Sequence, residues 1–515
     1  WLENEKQLEV VEKGDREHLR VKAALVGLGL DEVKDTFVGD TNVRGVSGGQ
    51  RRRVTVGEFL QERCPVLCGD EISTGLDAKS TYETVELLLH FSKANKSARV
   101  ISLLQPSPET VSLFDEVILL SGGRIIYSGP IQEVEEYFRG LGFKQPGHID
   151  VADFLQQVSN EDGEQFFVPT SERPNMPSPD ELAKAFHESE WGLRVMRKIS
   201  AEHKYTWAVQ KNETGSFRKS GEGSLVTEMA AVKSRYANGA IKSSYLNLCR
   251  FLTLWRRDKR VIIAGAAKNI LMGVSVGGVF FNTTEEIDLT GALFQAGLFI
   301  MLGAMQNASG LIVDRPIFKK HYEANFYSAM PFVIGRTLSS VPQTISDVVL
   351  FGTILYYFIG LAGRDEAGNF FIYLSVLIAF AFTMQQQLAL FASFSSTSGL
   401  QVLSAITLLF FILFGGFIVA PNAIPSFYWW AYWLSPYGWA YRALVVNEFR
   451  SSRWEDPDEI LVRLGFTLPN SEEAFGKEWI GWSFLYMILY FVLCTVLCAF
   501  GLTKAGEKVV TKTLQ

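Results

Sequence analysis

The sequence predicts a chain in two parts, a mixed α/β soluble region followed by an all-α bundle of six membrane-spanning helices. Three observations carry that prediction. Charged residues make up 20% of the 515 positions, yet none occurs from Ala367 to Tyr441, a stretch in which the average predicts about 15. Six apolar segments are each long enough to cross roughly 30 Å of hydrocarbon. Ahead of them, short apolar runs alternate with segments of helical periodicity, the pattern of a largely parallel sheet.

Composition excludes several classes. A chain that is 48% hydrophobic is not disordered, collagen-like or a small disulfide scaffold. Its 49 Lys and Arg against 55 Asp and Glu give a net charge of −6, and no nucleic-acid partner is expected of so acidic an average. Five cysteines, Cys64, Cys68, Cys249, Cys494 and Cys498, do not make a disulfide framework. The Cys64 to Cys68 spacing has no second Cys or His pair beside it and reads as structural thiols rather than a metal site. Trp1-Leu2-Glu3-Asn4-Glu5 is no signal peptide, so membrane insertion rests on internal spans.

Residues 1–158 form the α/β region. Helical periodicity runs from Gly14 to Gly27, and buried-strand runs cover Pro65 to Gly69 and Arg99 to Leu104. Glu116 to Leu120 and Arg124 to Tyr127 make a strand pair around the turn Ser121-Gly122-Gly123. Residues 159–240 are polar, with Pro169, Pro174, Pro177 and Pro179 followed by a Gly/Ser/Lys stretch, and read as a linker holding one or two short helices. A basic amphipathic stretch occupies 241–260. The membrane region is 261–515, with spans at about 261–281, 289–313, 333–361, 370–394, 400–420 and 479–503. The third holds Arg336, Pro342 and Asp347, whose charges are expected to face protein or water rather than lipid.

Orientation follows from the Lys and Arg in the short flanks. Arg250, Arg256, Arg257, Lys259 and Arg260 precede the first span, Arg315, Lys319 and Lys320 follow the second, and Lys504, Lys508 and Lys512 follow the sixth. The alternate loops are poor in them, which puts both termini and the α/β region in the cytosol. Asn282-Thr283-Thr284 is then an outside glycosylation sequon. Ala420 to Glu478 is a long outer segment, and its run Phe427 to Trp433 suits an interfacial aromatic belt or short helices dipping into the outer leaflet.

The chemistry lies in two strings. In Val46-Ser47-Gly48-Gly49-Gln50-Arg51-Arg52-Arg53, two glycines let a backbone approach an oxyanion, the Ser hydroxyl caps a helix, and the helix N-terminus offers free N–H groups: a phosphate-binding device. Alone, it is equally an ordinary capped helix. Soon after comes Pro65-Val66-Leu67-Cys68-Gly69-Asp70-Glu71, a strand ending in two carboxylates, then Ser73-Thr74-Gly75-Leu76-Asp77. In nucleotide hydrolases an Asp at a strand end holds Mg²⁺ and the next Glu orients or deprotonates the attacking water. A solvated acidic turn accounts for the second string by itself; it does not account for both in this order.

Together these strings resemble the nucleotide-binding domain of ATP-binding cassette transporters. Ser47-Gly48-Gly49-Gln50 resembles the signature motif, Asp70-Glu71 the Walker B pair and Asp77 the D-loop. Gly69 to Asp77, Leu103 to Thr110, Val151 to Leu155, Ser435 to Tyr441 and Val446 to Phe449 bring the likeness closer, to the G subfamily and the first half of its pleiotropic-drug-resistance type. The implied fold class is an α/β, partial ABC-type nucleotide-binding domain followed by an all-α six-helix transmembrane domain. The implied cofactors are ATP and Mg²⁺, with Asp70 as metal ligand, Glu71 as catalytic carboxylate and Ser47, Gly48, Gly49, Gln50 and Asp77 at nucleotide.

Two positions depart from the family pattern. No G-x-x-x-x-G-K-[ST] loop occurs, and Gly215 to Ser220 does not supply one, so the sequence reads as beginning downstream of that loop. The family's switch histidine is Leu104, which cannot hydrogen-bond a phosphate or water; slow hydrolysis is expected at the Asp70/Glu71 site. The resemblance implies that two such domains close head to tail, so that Ser47, Gly48 and Gly49 reach nucleotide held by a partner half, on the same chain or another.

It also implies a connecting helix at 241–260 lying along the inner leaflet against membrane lipid headgroups, with a positive-inside flank of no moving role as the alternative, a second-span extension over Asp314 to Ser328 that leans on the ATPase, and a central path. That path is assigned to Phe299, Leu302, Ala405, Leu409 and Ile412, with Phe417 and Ile418 as an apolar plug; lipid-facing or intra-bundle packing is the alternative for each. Export of an amphipathic, lipid-like cargo across the plasma membrane is the implied function. A non-hydrolytic structural or regulatory half is the second reading.

Overall fold

Glu116–Ser121 (β3) and Arg124–Pro130 (β4) pair antiparallel around a turn that only glycines enter freely, with φ of +55° at Gly122 and +74° at Gly123. The computed structural model describes residues 16–39, 45–60, 66–95, 97–147, 149–169, 175–200, 236, 238–361, 367–467 and 473–513. The N-terminal five residues, Cys64, Pro65, the Gly215 to Ser220 string and positions 362–366 lie outside them. The chain divides into two units, 1–218 and 219–515, each described by itself.

In the first unit, Val66–Gly69 (β1) and Ala98–Ile101 (β2) run parallel, joined by the crossover helix Ala78–Asn95 (α3). Helices Arg16–Gly27 (α1) and Gly48–Leu60 (α2) share its core, where Leu28, Leu30, Val56, Leu60, Val85 and Leu88 are buried. Among the described residues the expected parallel sheet is therefore present only at β1 and β2. β3 and β4 form a second two-stranded sheet, antiparallel because a tight turn cannot join parallel strands.

A second core gathers Ile126, Tyr127, Tyr137, Phe138, Phe154, Leu182 and Phe186. The short helix Pro108–Val111 (α4) precedes it in sequence, and it is built from β4, Val134–Gly140 (α5), Val151–Val158 (α6), Pro179–Glu188 (α7) and Glu190–Ser200 (α8). The stretch 175–200, read as linker, thus contains two helices packed onto this core. The reason is local: Ser178 and Glu181 form a reciprocal capping box at 2.8 and 3.3 Å, and Leu182 and Phe186 then share one helix face. Glu133 anchors α8 by accepting from Trp191 Nε1 at 2.8 Å and Arg194 Nη1 at 2.9 Å.

The second unit is helical. Ala240–Arg257 (α9) precedes Lys259–Val279 (α10), Glu286–Glu323 (α11), Ala329–Ile359 (α12), Ala367–Phe394 (α13) and Thr397–Leu413 (α14). After Trp429–Leu434 (α15), Pro436–Phe449 (α16) and Pro457–Arg463 (α17) comes Glu478–Thr513 (α18). Among the described residues α10, α11, α12, α13 and α18 are long and apolar enough to cross a membrane, whereas α14 has 17 residues. It stops at Leu413, short of the expected 420, because Gly416 turns the chain with φ +94°. α11 instead continues as one helix past Val313 to Glu323.

The charges in α12 are answered internally. Arg336 pairs with Asp314 of α11 at 3.0 Å, and Asp347 accepts from Gln343 at 2.7 Å and from Asn269 of α10. α16 is buried along nearly its whole length, capped by Ser435, whose hydroxyl accepts the Gly438 N–H at 3.1 Å. Cys68, Cys249, Cys494 and Cys498 are free thiols.

Candidate functional site

Ser47 and Gln50 form a capping box at the start of α2. The Ser47 N–H donates to Gln50 Oε1 at 2.9 Å and the Ser47 hydroxyl accepts the Gln50 N–H at 3.2 Å. This fixes the helix N-terminus with its dipole toward solvent, since Ser47 and Gly48 are exposed. A Cβ on Gly48 would meet nothing within 4 Å, whereas one on Gly49 would lie 3.2 Å from Leu76 Cδ2 and 3.3 Å from the Gly75 carbonyl. Arg52 donates to the carbonyl of Glu71. The structure thus packs the Ser47 helix against the Asp70 to Asp77 turn.

That turn is held by Ser102, one residue beyond β2. Its hydroxyl donates to Asp70 Oδ1 at 2.6 Å and accepts the Glu71 N–H at 2.8 Å. Glu71 adopts φ +46°, a left-handed conformation that costs about 1–3 kcal/mol outside glycine and persists only where surroundings impose it. Thr74 donates to Glu71 Oε2 at 3.3 Å. Asp77 caps α3: the Ser80 hydroxyl and its backbone N–H hold the Asp77 carboxyl below the usual carboxylate range. The Asp70 carboxylate, oriented through one oxygen and exposed, is the hard oxygen ligand that Mg²⁺ takes, so the residues present fit that ion. Leu104 presents a 63% exposed hydrocarbon side chain beside Gln105, itself at φ +45°.

The residues assigned to a transport path divide. Phe299 packs inward on Phe351, ring centroids 4.2 Å apart, with Lys268 at 5.7 Å from its ring. Ile412 is half-buried against the core. Leu302, Ala405, Leu409 and Ile418 are exposed on the surface of the unit. Phe417 stacks on Phe294 at 4.5 Å and 22°. Among the described residues they do not line one cavity; one cavity of about 40 Å³ takes in Phe299 together with Lys268, Asn269, Asp347 and Gln385.

Three groups escape sequence reasoning. Ser102 has no local motif, being 32 residues from Asp70. Tyr437 and Tyr441 lie within the Ser435 to Tyr441 string, but their partners are carbonyls of α11. Arg442 does carry a signal, as the charge that ends the neutral stretch from Ala367, and it is fully buried among Tyr432, Trp433, Trp439, Phe475 and Trp479.

Residues 244–449 match the family described as ABC-2 type transporter. The chain is 33% identical to ABC transporter G family member 42 of Oryza sativa subsp. japonica over 492 residues, which cover 91% of this chain and 31% of that protein. It is 32% identical to pleiotropic drug resistance protein 2 of Nicotiana plumbaginifolia over 501 residues, 93% and 33% of the two chains. It is likewise 32% identical to ABC transporter G family member 31 of Arabidopsis thaliana over 461 residues, 87% and 31%. The chain spans about a third of the length of the curated relatives it matches.

Proposed function

The chain is a homologue of the ABC transporter G family, pleiotropic drug resistance proteins included, and from that premise we propose that it is one half of an ATP-driven exporter of amphipathic, lipid-like molecules. In this reading the N-terminal unit serves as part of a nucleotide-binding domain in the cytosol, and the helical unit sits in the plasma membrane as half of the path. A second nucleotide-binding and transmembrane half, on the same polypeptide or another, completes it.

The observation that carries this reading is the open end of α2. Ser47 is locked as a cap while Gly48 leaves room above the first free N–H groups, an arrangement suited to the phosphates of a nucleotide bound by the partner half. Bound ATP would supply the phosphoanhydride, and Asp70 is the residue that would hold the Mg²⁺ needed to offset phosphate charge at this half's own site. Asp70 is oriented by Ser102, and Glu71 is aimed from a constrained backbone. Leu104 contributes no polar atom where a hydrogen bond to water or phosphate is needed, which favours slow turnover at this site and an asymmetry between the halves that fits both the exporter half and the second, non-hydrolytic reading.

The test is a pair of glycine variants in the complete transporter. Gly48→Ala meets no neighbour in this chain, so an intact protein with ATP turnover lowered by about tenfold or more reports contact with nucleotide in trans. Unchanged turnover in Gly48→Ala and Ser47→Ala would leave this half a passive partner.

A further inference from the structure

α16 meets α11 through two phenols, and Tyr437 fits against two glycines, Gly297 of α11 and Gly415 just beyond α14. The Tyr437 hydroxyl donates to the Phe294 carbonyl and the Tyr441 hydroxyl to the Thr290 carbonyl at 3.0 Å, so two residues one turn apart on α16 engage two carbonyls one turn apart on α11. The Tyr437 ring occupies space that no larger residue leaves open. A Cβ at Gly297 would sit 3.1 Å from it, and one at Gly415 would sit 2.7 Å from it. Phe380 of α13 closes the ring's other side at 5.6 Å, edge-on.

Gly415 begins the turn that carries Phe417 and Ile418. Tyr437 therefore touches the root of that turn, while its hydroxyl grips the residue on which Phe417 stacks, Phe294. Tyr441 meets the Phe417 ring edge-on at 6.2 Å and 88°. Gly438 N–H is held by Ser435, which sets the start of α16 and hence the height of Tyr437. Among the described residues, the two rings that meet Phe417 are thus Tyr441 of α16 and Phe294, whose carbonyl α16 holds through Tyr437.

We propose that Tyr437 and Tyr441 are positioning residues for the constriction of the transport path: their hydroxyls hold α16 in register with α11 and thereby keep the Phe417 ring on Phe294. This rests on the reading of Phe417 and Ile418 as the plug. Neither tyrosine meets cargo; they act through Phe417. Removing a hydroxyl leaves no orphaned acceptor, because α11 is continuous there and its carbonyls keep their intrahelical partners. The register is what the variant relaxes.

The experiment uses the complete transporter in inside-out vesicles, reading ATP-dependent uptake of an amphipathic fluorescent dye and ATP hydrolysis side by side, with melting temperature as the control for structure. Phe417→Ala is expected to lower dye moved per ATP. Tyr437→Phe is expected to lower the same ratio by about three- to tenfold, the shift that one lost hydrogen bond imposes on a two-state equilibrium, with melting unchanged. Combined with Phe417→Ala it should add nothing. Should Tyr437→Phe fail to fold, Tyr441→Phe, which removes the second hydroxyl of the pair, takes its place with the same expectation. A ratio untouched by Tyr437→Phe while Phe417→Ala lowers it, or losses that multiply in the double variant, overturns the positioning role. An inert Phe417→Ala would sink the plug reading itself, a separate and recognisable result.

Discussion

The Ser102 hydroxyl binds Asp70 Oδ1 at 2.6 Å and simultaneously accepts the N–H of Glu71, so one side chain governs both carboxylate positions. Ser102→Ala should therefore loosen the pair without emptying the core. If Asp70 serves Mg²⁺, losing this outer support is expected to weaken Mg²⁺-dependent retention of nucleotide at this site by about tenfold. Retention is measured with a fluorescent ATP analogue across a Mg²⁺ titration in the complete transporter. Identical titrations of parent and variant would remove Asp70 from metal binding.

Leu104 sets a different expectation for turnover. With a hydrocarbon side chain in the switch position, 63% exposed, Glu71 has no polar group from that position to cooperate with. Glu71→Gln should reduce ATP hydrolysis less than the equivalent change in the partner half, and Leu104→His should raise it. Steady-state phosphate release from the variants in matched preparations decides this; equal losses from the two Glu variants contradict the role given to Leu104.

How much of this was legible in the sequence depends on whether the signal is local. The long apolar helices are, because their length and composition are read directly along the chain. The end of α14 is not, since apolar residues continue beyond Leu413 and only the Gly415-Gly416 pair breaks the helix. For α7 and α8 the two parts separate: the one or two short helices expected in this stretch have local signals in the Ser178 capping box and the spacing of Leu182 and Phe186, whereas their packing onto the second core involves residues distant in sequence. The cap at Ser47 is local and readable. The Ser102 strut, 31 residues from Glu71, exists only once β1 and β2 lie side by side.

Two tyrosines give the second core an alkaline limit. Burial, with the Glu133 carboxylate adding to it, pushes the Tyr127 phenol up to about 12, and burial also raises Tyr137, whose hydroxyl has no hydrogen-bond partner among the described residues. The folded state then keeps protons that the unfolded chain gives up near pH ~10. Stability from this pair is fully present below about pH 10 and is lost as pH rises toward about 12. Tyr137→Phe removes an unsatisfied hydroxyl and should stabilise this core by about 1 kcal/mol while reducing its alkaline sensitivity. The rate at which an alkaline-stable protease cleaves within 116–200, followed from pH 8 to about 11, reads both effects; parallel curves for parent and variant would exclude Tyr137 as a cause.

Arg442 poses the sharpest packing question in the helical unit. It is fully buried, with the guanidinium carbon 4.1 Å from the Trp439 ring centroid, 4.7 Å from Trp433 and 5.0 Å from both Phe475 and Trp479. Its one hydrogen bond to Tyr432 is long, at 3.5 Å, and Nε and Nη2 have no partner among the described residues. Ring faces therefore replace a counter-ion, and a flat, weakly hydrated guanidinium suits them far better than a compact ammonium. Arg442→Lys keeps the charge, yet it should destabilise by about 2 kcal/mol or more, because the shorter ammonium must shed a tighter hydration shell and leaves the Trp439 face bare. Arg442→Met keeps most of the volume and discards the charge, and should cost less than about 1 kcal/mol. Tryptophan fluorescence during thermal unfolding in detergent is well placed to compare them, since three of the caging rings are indoles. If Lys proves the milder substitution, the positive charge itself, and not the fit of a flat guanidinium to the rings, is what this position requires.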